Sequence, residues 1–179
     1  MTNLQTLRKR ARADIDQGAV TAGYSADRAA VLKLLNDSLA TELVCVLRYR
    51  RHHFMARGIQ SQSVAQEFLE HSNEELGHAD QLAERIVQLG GAPDFNPAGL
   101  AARSHAEYIE GDNLASMIRE NLVAERIAID SYREAINYLG DADPTTRRLL
   151  EGILAVEEQH ADELSDLLVA YPIERKKPV

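Results

Sequence analysis

Four glutamates stand where a helical repeat would put core residues. Followed at spacings of three and four, one stripe reads Val31, Leu35, Ser38, Glu42, Cys45, Tyr49, and a second reads Val64, Phe68, His71, Glu75, His78, Leu82. A third reads Ile118, Leu122, Glu125, Ile129, Tyr132, Ile136, Leu139, and a fourth Leu150, Ile153, Glu157, His160, Leu164, Leu167. Histidine follows the acid by three residues in the second and fourth stripes. The two halves of the chain repeat the arrangement. Glu42 precedes Tyr49-Arg50 and then Glu75-x-x-His78; Glu125 precedes Tyr132-Arg133 and then Glu157-x-x-His160; the two acids of each half are 33 and 32 residues apart. An ionised carboxylate in a helical core is costly unless paired, and four together could not all ionise. Two divalent cations would supply the missing positive charge. Glu and His at i and i+3 point the same way from a helix, and a mixed carboxylate–imidazole set suits iron or manganese, with zinc also tolerated. Glu74 offers a rival i,i+4 pairing with His78, but Val156 occupies the equivalent place before His160, so only the i,i+3 pair occurs in both halves.

The punctuation of the chain predicts an all-α fold. Ser25 can cap a first helix that runs to about Arg57 before Gly58, and Ser61 or Ser63 a second that ends at Gly90-Gly91. Asp112 can cap a third ending at Gly140, and Asp143-Pro144 opens a fourth that ends near Pro172. Helices of this length span about 40 Å, which suits a four-helix bundle. The connections between the first and second and between the third and fourth are tight, so those pairs are antiparallel. The long connector GGAPDFNPAGLAARSHAEYIEG between the second and third is what a crossover along the bundle requires, and PAGLAARSHAEYI within it could form a short helix. The expected organisation is a basic N-terminal arm over 1–24, the bundle over 25–172 and a basic tail over 173–179.

Composition narrows the function. No run approaches the ~18 apolar residues of a membrane span, and MTNLQTLRKRARAD lacks the apolar stretch of a signal peptide, so a cytoplasmic chain is expected. Cys45 is the only cysteine, which excludes an internal disulfide framework and any CxxC zinc or rubredoxin module. The net charge of −8 is unevenly placed: Arg8, Lys9, Arg10 and Arg12 face no acid in the first twelve residues, and Arg175, Lys176 and Lys177 outnumber Glu174 at the other end. The acidic body would attract cations; the basic arm could touch DNA phosphates or simply be solvated.

These residues resemble the ferritin-like superfamily, and bacterioferritin in particular, from about Leu35 to Leu168. NDSLATELVCVLRY is similar to that family's first helix, EELGHADQLAERI to its second, LVAERIAIDSYREAI to its third and AVEEQHADEL to its fourth. The resemblance implies two iron ions per subunit, with Glu42 and Glu125 as terminal carboxylates, Glu75 and Glu157 as bridges and His78 and His160 as terminal imidazoles. Bacterioferritins carry a haem-ligating Met directly after the bridging Glu of the second helix; Leu76 stands there, so no haem is expected. Only 19 residues follow His160, too few for a further full helix with its linker. That shortness, the N-terminal arm and the crossover are more like Dps proteins and their bacterioferritin-like relatives, so a homo-oligomeric shell of twelve subunits is favoured over one of twenty-four.

The implied function is a di-iron ferroxidase. Oxygen or hydrogen peroxide takes one electron from each of two ferrous ions, and ferric product is stored in the hollow shell, protecting against oxidative damage. One alternative is a non-storing di-metal peroxidase or catalase of the rubrerythrin or manganese-catalase type. Another is a DNA-binding protective protein that uses its basic arm. Tyr49 is either a site-adjacent group or a core aromatic with a buried partner, and Tyr132 is its repeat mate. His71, one turn before Glu75, either supports the ligands from behind or is a satisfied core histidine. Glu70, His71 and Glu74 could also face a shell cavity. Cys45 reads as a small core residue, at most one of His52 and His53 faces the core, and His105 reads as a surface residue.

Overall fold

The computed structural model describes residues 2–58 and 61–170. Six helices, and no strand, occur among the described residues: α1 Leu4–Arg10, α2 Arg28–Met55, α3 Ser61–Gln88, α4 Leu100–Arg103, α5 Leu114–Leu139 and α6 Pro144–Ala170. The bundle consists of α2, α3, α5 and α6. No helix among the described residues is long and apolar enough to cross a membrane. The expected tail over 173–179 and the expected helix end near Pro172 lie outside the described residues.

Two of the expected caps are displaced by one or two residues. Asp27, not Ser25, caps α2, its carboxylate accepting from the Ala29 and Ala30 N–H groups; Ser25 instead donates to the Ala142 carbonyl at 3.3 Å. Asn113, not Asp112, caps α5, because Asn113 and Ser116 each accept the other's backbone N–H in a capping box. The first bundle helix also ends at Met55 rather than Arg57, with Ala56 already extended. α3 closes in a Schellman turn: the Gly91 N–H reaches the Ile86 carbonyl and that of Gly90 reaches Val87, which needs Gly90 at φ +74°.

The crossover runs along α2 in the same direction. Asn36 accepts from the Asp94 N–H, Thr41 from the His105 N–H, Arg48 donates to the Glu107 carbonyl, and the His52 ring meets the carbonyls of Ile109 and Glu110. From Asn36 to His52 that is about 24 Å of helix. Chain polarity follows: α5 starts beside the end of α2, so α2 is antiparallel to both α3 and α5, and parallel to α6. The short helix expected over PAGLAARSHAEYI is smaller than its sequence suggests. It is a 3₁₀ turn at Pro97–Gly99 followed by α4, and it stops at Arg103 because Ser104 turns extended and hands the chain to Thr41.

The stripe residues face inward; only Leu122, Ile136 and Leu167 are half-buried rather than buried. The apolar core forms two large blocks and a small third one, Ala40, Val44 and Leu100, under the crossover. Val31, Leu35, Leu39, Leu82, Ile86, Leu139, Leu150 and Ile153 belong to one, and Tyr49, Val64, Phe68, Met117, Ile118 and Leu164 to the other. The glutamates lie between them. Of the histidine pair, His52 is buried and His53 half-buried. α1 buries none of its residues, whereas Val20 and Tyr24 pack on the bundle.

A polar knot closes the end of the bundle where α5 meets α6. Asp143 caps α6 through the Thr146 N–H and receives Arg85 from α3 and the Tyr24 hydroxyl, while Arg85 Nε donates to the Thr146 hydroxyl. Asp143 and Arg85 are both buried. Asp143→Ala strands that guanidinium, so we expect a loss of about 3–5 kcal/mol by denaturant unfolding at fixed protein concentration, partly recovered in Asp143→Ala/Arg85→Met. A loss no larger than that of a surface cap substitution would contradict this assignment.

Candidate metal centre

The bundle brings all six predicted ligands together. Glu42 comes from α2, Glu75 and His78 from α3, Glu125 from α5, and Glu157 and His160 from α6; each is at most 5% exposed. They form two overlapping sets. Glu42, Glu75, His78 and Glu157 make one, Glu75, Glu125, Glu157 and His160 the other, and within each set one ligand atom per residue lies within 4.8 Å of the rest. Glu75 and Glu157 belong to both, where bridging ligands of a pair would stand. His78 Nδ1 is 2.9 Å from Glu157 and 3.5 Å from both Glu42 and Glu75; His160 Nδ1 is 3.6 Å from Glu75.

The donor set fits a pair of cations on its own evidence. Glu42 Oε2, both oxygens of Glu75 and of Glu157, Glu125 Oε2, and the Nδ1 atoms of His78 and His160 are buried without a hydrogen-bond partner. Buried polar atoms normally find partners, and eight failing in one place calls for something between them. Hard oxygens with two imidazole nitrogens suit iron or manganese.

Surrounding groups hold the ligands. The Tyr49 hydroxyl donates to Glu125 and that of Tyr132 donates to Glu42. Each tyrosine lies seven residues after the acid of its own half and serves the acid of the other. That exchange follows from α2 and α5 running antiparallel. The Nε2 atom of His160 is 2.7 Å from Glu74, which orients the ring so that Nδ1 faces the centre. Glu74, read from the sequence as a rival for His78 or a cavity-facing acid, thus serves the opposite histidine. His71 contacts the Tyr49 hydroxyl through Nδ1 at 3.2 Å and Glu163 through Nε2 at 3.0 Å, and stacks on His160 at 3.9 Å between ring centroids. It is therefore hydrogen-bonded at both nitrogens and also touches a ligand. Cys45 is buried beside Arg48, and His105 is exposed. Glu70 is exposed.

Sequence reasoning missed Arg48, which is fully buried and bonded to Asn121 and the Glu107 carbonyl. It also missed Glu67 and Glu163, which meet at His71. The available signal was spacing: Glu67 is four residues before His71, and Glu163 three after His160.

The electrostatics without cations are those of crowded acid. Burial first, and the charge of Glu75 second, push the carboxyls of Glu42, Glu125 and Glu157 above the usual range. Burial would lower the two imidazoles. The carboxylates outweigh it, Glu42 and Glu75 raising His78 to about 10 and Glu75 and Glu125 raising His160 to about 9. Burial and neighbouring carboxylates also push Tyr49 and Tyr132 upward, so both remain donors. The raised imidazole values favour the protonated folded state. This contribution is complete below the unfolded histidine value of about 6.5 and is lost as pH climbs toward 9–10. The metal-free protein should therefore lose thermal stability over that interval. Cation binding must displace those protons, so affinity should rise with pH. Zn(II) affinity and melting temperature measured at pH 6.5 and 9 check both signs; a melting temperature of the metal-free protein that rises with pH would contradict them.

Comparison with known proteins agrees with this geometry. A ferritin-like domain family matches residues 32–172. A nutrient stress-induced DNA-binding protein from Synechococcus sp. (strain ATCC 27144) is 34% identical over 140 residues, covering 75% of this chain and 78% of the relative. Bacterioferritin from Rhodobacter capsulatus is 28% identical over 147 residues, covering 80% and 85%. Among solved structures, a dodecameric thioferritin, the bacterioferritin-related protein from Bacteroides fragilis, superposes with a TM-score of 0.79 at 30% identity, covering 82% of this chain and 89% of that one. The bundle, the crossover and the matched span together make this chain a member of the ferritin-like family.

Proposed function

We propose that the protein is a ferroxidase that takes two ferrous ions as substrate at the carboxylate layer, oxidises them with hydrogen peroxide or oxygen, and stores the ferric product in a hollow homo-oligomeric shell. The observation that carries this reading is the set of eight unpartnered buried ligand atoms in two groups that share Glu75 and Glu157. In this reading Glu75 and Glu157 bridge the ions, Glu42 with His78 and Glu125 with His160 complete the two positions, and manganese or zinc could occupy the same donors. Each ferrous ion gives up one electron, and two electrons with two protons convert one hydrogen peroxide to two waters.

The chain's own contribution is geometric and electrostatic. Glu75 and Glu157 would hold the two ions at the short separation usual for two-metal sites, about 3.5–4 Å. Tyr132 and Tyr49 hold the terminal carboxylates from behind, and Glu74 holds His160. The apolar blocks on either side keep bulk water from the layer.

The shell is supported by the likeness to a thioferritin described as dodecameric, and twelve subunits are favoured over twenty-four. Exposed Leu47, Phe54, Met55 and Val123 offer apolar surface for subunit contacts. In this arrangement residues 25–172 form the working bundle, residues 1–24 an arm, and the compartment is the cytoplasm. Leu76 offers no ligand atom to a haem. A second reading rests on α1, which exposes Arg8, Lys9 and Arg10 on a helix that buries nothing, and on a relative named as DNA-binding. DNA affinity that falls steeply with salt and vanishes on deletion of residues 1–12 would establish it.

Iron retention tests the main reading. Apoprotein loaded with excess Fe(II), oxidised with peroxide or air and passed through gel filtration should carry many irons per chain in a large assembly. About two per chain would leave a non-storing dinuclear enzyme of the rubrerythrin or manganese-catalase kind. Glu157→Ala should abolish the rapid oxidation phase, and Tyr49→Phe should slow it by about tenfold. Rapid oxidation retained by Glu157→Ala would sink the assignment.

A further inference from the structure

Among the described residues two arginines are buried, and the fold treats them differently. Arg85 meets the Asp143 carboxylate at 3.0 Å. Arg48, only 1% exposed, meets neutral groups. Its Nε donates to Asn121 Oδ1 at 2.9 Å, its Nη1 to the Glu107 carbonyl at 2.9 Å, and its Nη2 lies 3.7 Å from Cys45 Sγ. Among the described residues no carboxylate forms an ion pair with it. A buried cation without a paired anion is costly, so charge elsewhere must offset it.

The carboxylate layer supplies that charge. Cys45 stands one turn after Glu42 on α2, and Asn121 one turn before Glu125 on α5. The groups that hold the guanidinium are thus each about 5 Å of helix from a terminal ligand of the proposed pair. Burial would lower the Arg48 value; Cys45 and Tyr49, then Glu125 and Glu75, raise it instead. A guanidinium keeps its charge at any working pH. Four ionised glutamates and this one fixed cation leave three negative charges in the layer. Two divalent ions bring four positive charges, and two trivalent ions bring six. Glu74, beside His160, is 55% exposed, so water screens its contribution.

We propose that Arg48 is a fixed positive charge that weakens the layer's hold on metal ions, on trivalent ions more than on divalent ones, so that ferric product leaves the centre for storage. The inference rests on the dinuclear reading. Arg48 touches none of the six ligands, and its effect is carried by charge alone. Coulomb repulsion is proportional to the charge of the ion. A change that raises the affinity for a divalent ion about tenfold therefore raises that for a trivalent ion at the same position about thirtyfold.

Two substitutions cancel the charge in different ways. Arg48→Gln removes it and keeps an amide donor. Asn121→Asp leaves Arg48 in place, preserves side-chain size and sets a carboxylate against Nε. Competition titrations at pH 7.5 with Zn(II) and Ga(III), both redox-inert and buffered by nitrilotriacetate, measure the two tightest sites per chain. At that pH His52 is neutral, because burial first and Arg48 second hold its value at about 4. Both variants should bind Zn(II) at least about tenfold, and Ga(III) at least about thirtyfold, more tightly than the unsubstituted protein. Arg48→Lys, which keeps the charge, should stay within about threefold of it for both ions. Circular dichroism and gel filtration verify folding and assembly, and either neutralising variant decides the matter. No gain in affinity, or an equal gain for both ions, overturns the proposal and leaves the dinuclear reading intact if two zinc ions bind. Fewer than two zinc ions on the unsubstituted protein overturns both.

Discussion

Carboxylates that share a dry layer repel one another, and the rest of this molecule is arranged around that repulsion. Glu42, Glu75, Glu125 and Glu157 are almost wholly buried, and most of their oxygens meet no donor. A helical bundle with an ordinary apolar core would be the simpler solution to the same stripe pattern. Instead the core is split, with apolar blocks to either side of the acids. The blocks supply the hydrophobic stabilisation that lets the polar layer persist, and the layer's unmet valence is what a pair of cations would satisfy. Stability and metal affinity are thus properties of the same side chains, and each depends on the protonation of the other's groups.

The pseudo-symmetry of the chain has a mechanical role. Tyr49 and Tyr132 exchange partners across the α2–α5 contact, so each half of the sequence orients a ligand of the other. Neither half could build its own cation position alone, since Glu75 and Glu157 are shared. The crossover makes this possible. By running along α2 it returns the chain to the end of that helix and sets α5 antiparallel to it, the only orientation that brings position 49 opposite 125 and position 42 opposite 132.

What could be read from the sequence was whatever one helix encodes by itself. Periodicity placed each acid on an inward stripe, and the i,i+3 spacing placed each histidine beside it. Helix ends were legible only to within two residues. Ser25 and Asp27, or Asp112 and Asn113, are all competent caps, and the choice depends on backbone turns that spacing does not encode. Contacts between helices were the illegible part. The exchange of tyrosine partners, the pairing of Glu74 with His160 and the meeting of Glu163 with His71 all join residues far apart in the chain. The burial of Arg48 was illegible for the same reason, since it depends on Asn121 and on a carbonyl of the crossover.

The central claim is that the carboxylate layer holds two cations bridged by Glu75 and Glu157. Anomalous diffraction at the iron edge, from crystals loaded anaerobically with Fe(II), tests it most directly. The account predicts two peaks about 3.5–4 Å apart, each within bonding distance of both bridging glutamates and of one histidine Nδ1. A single peak, or iron found only on the outer surface of the bundle, would contradict it.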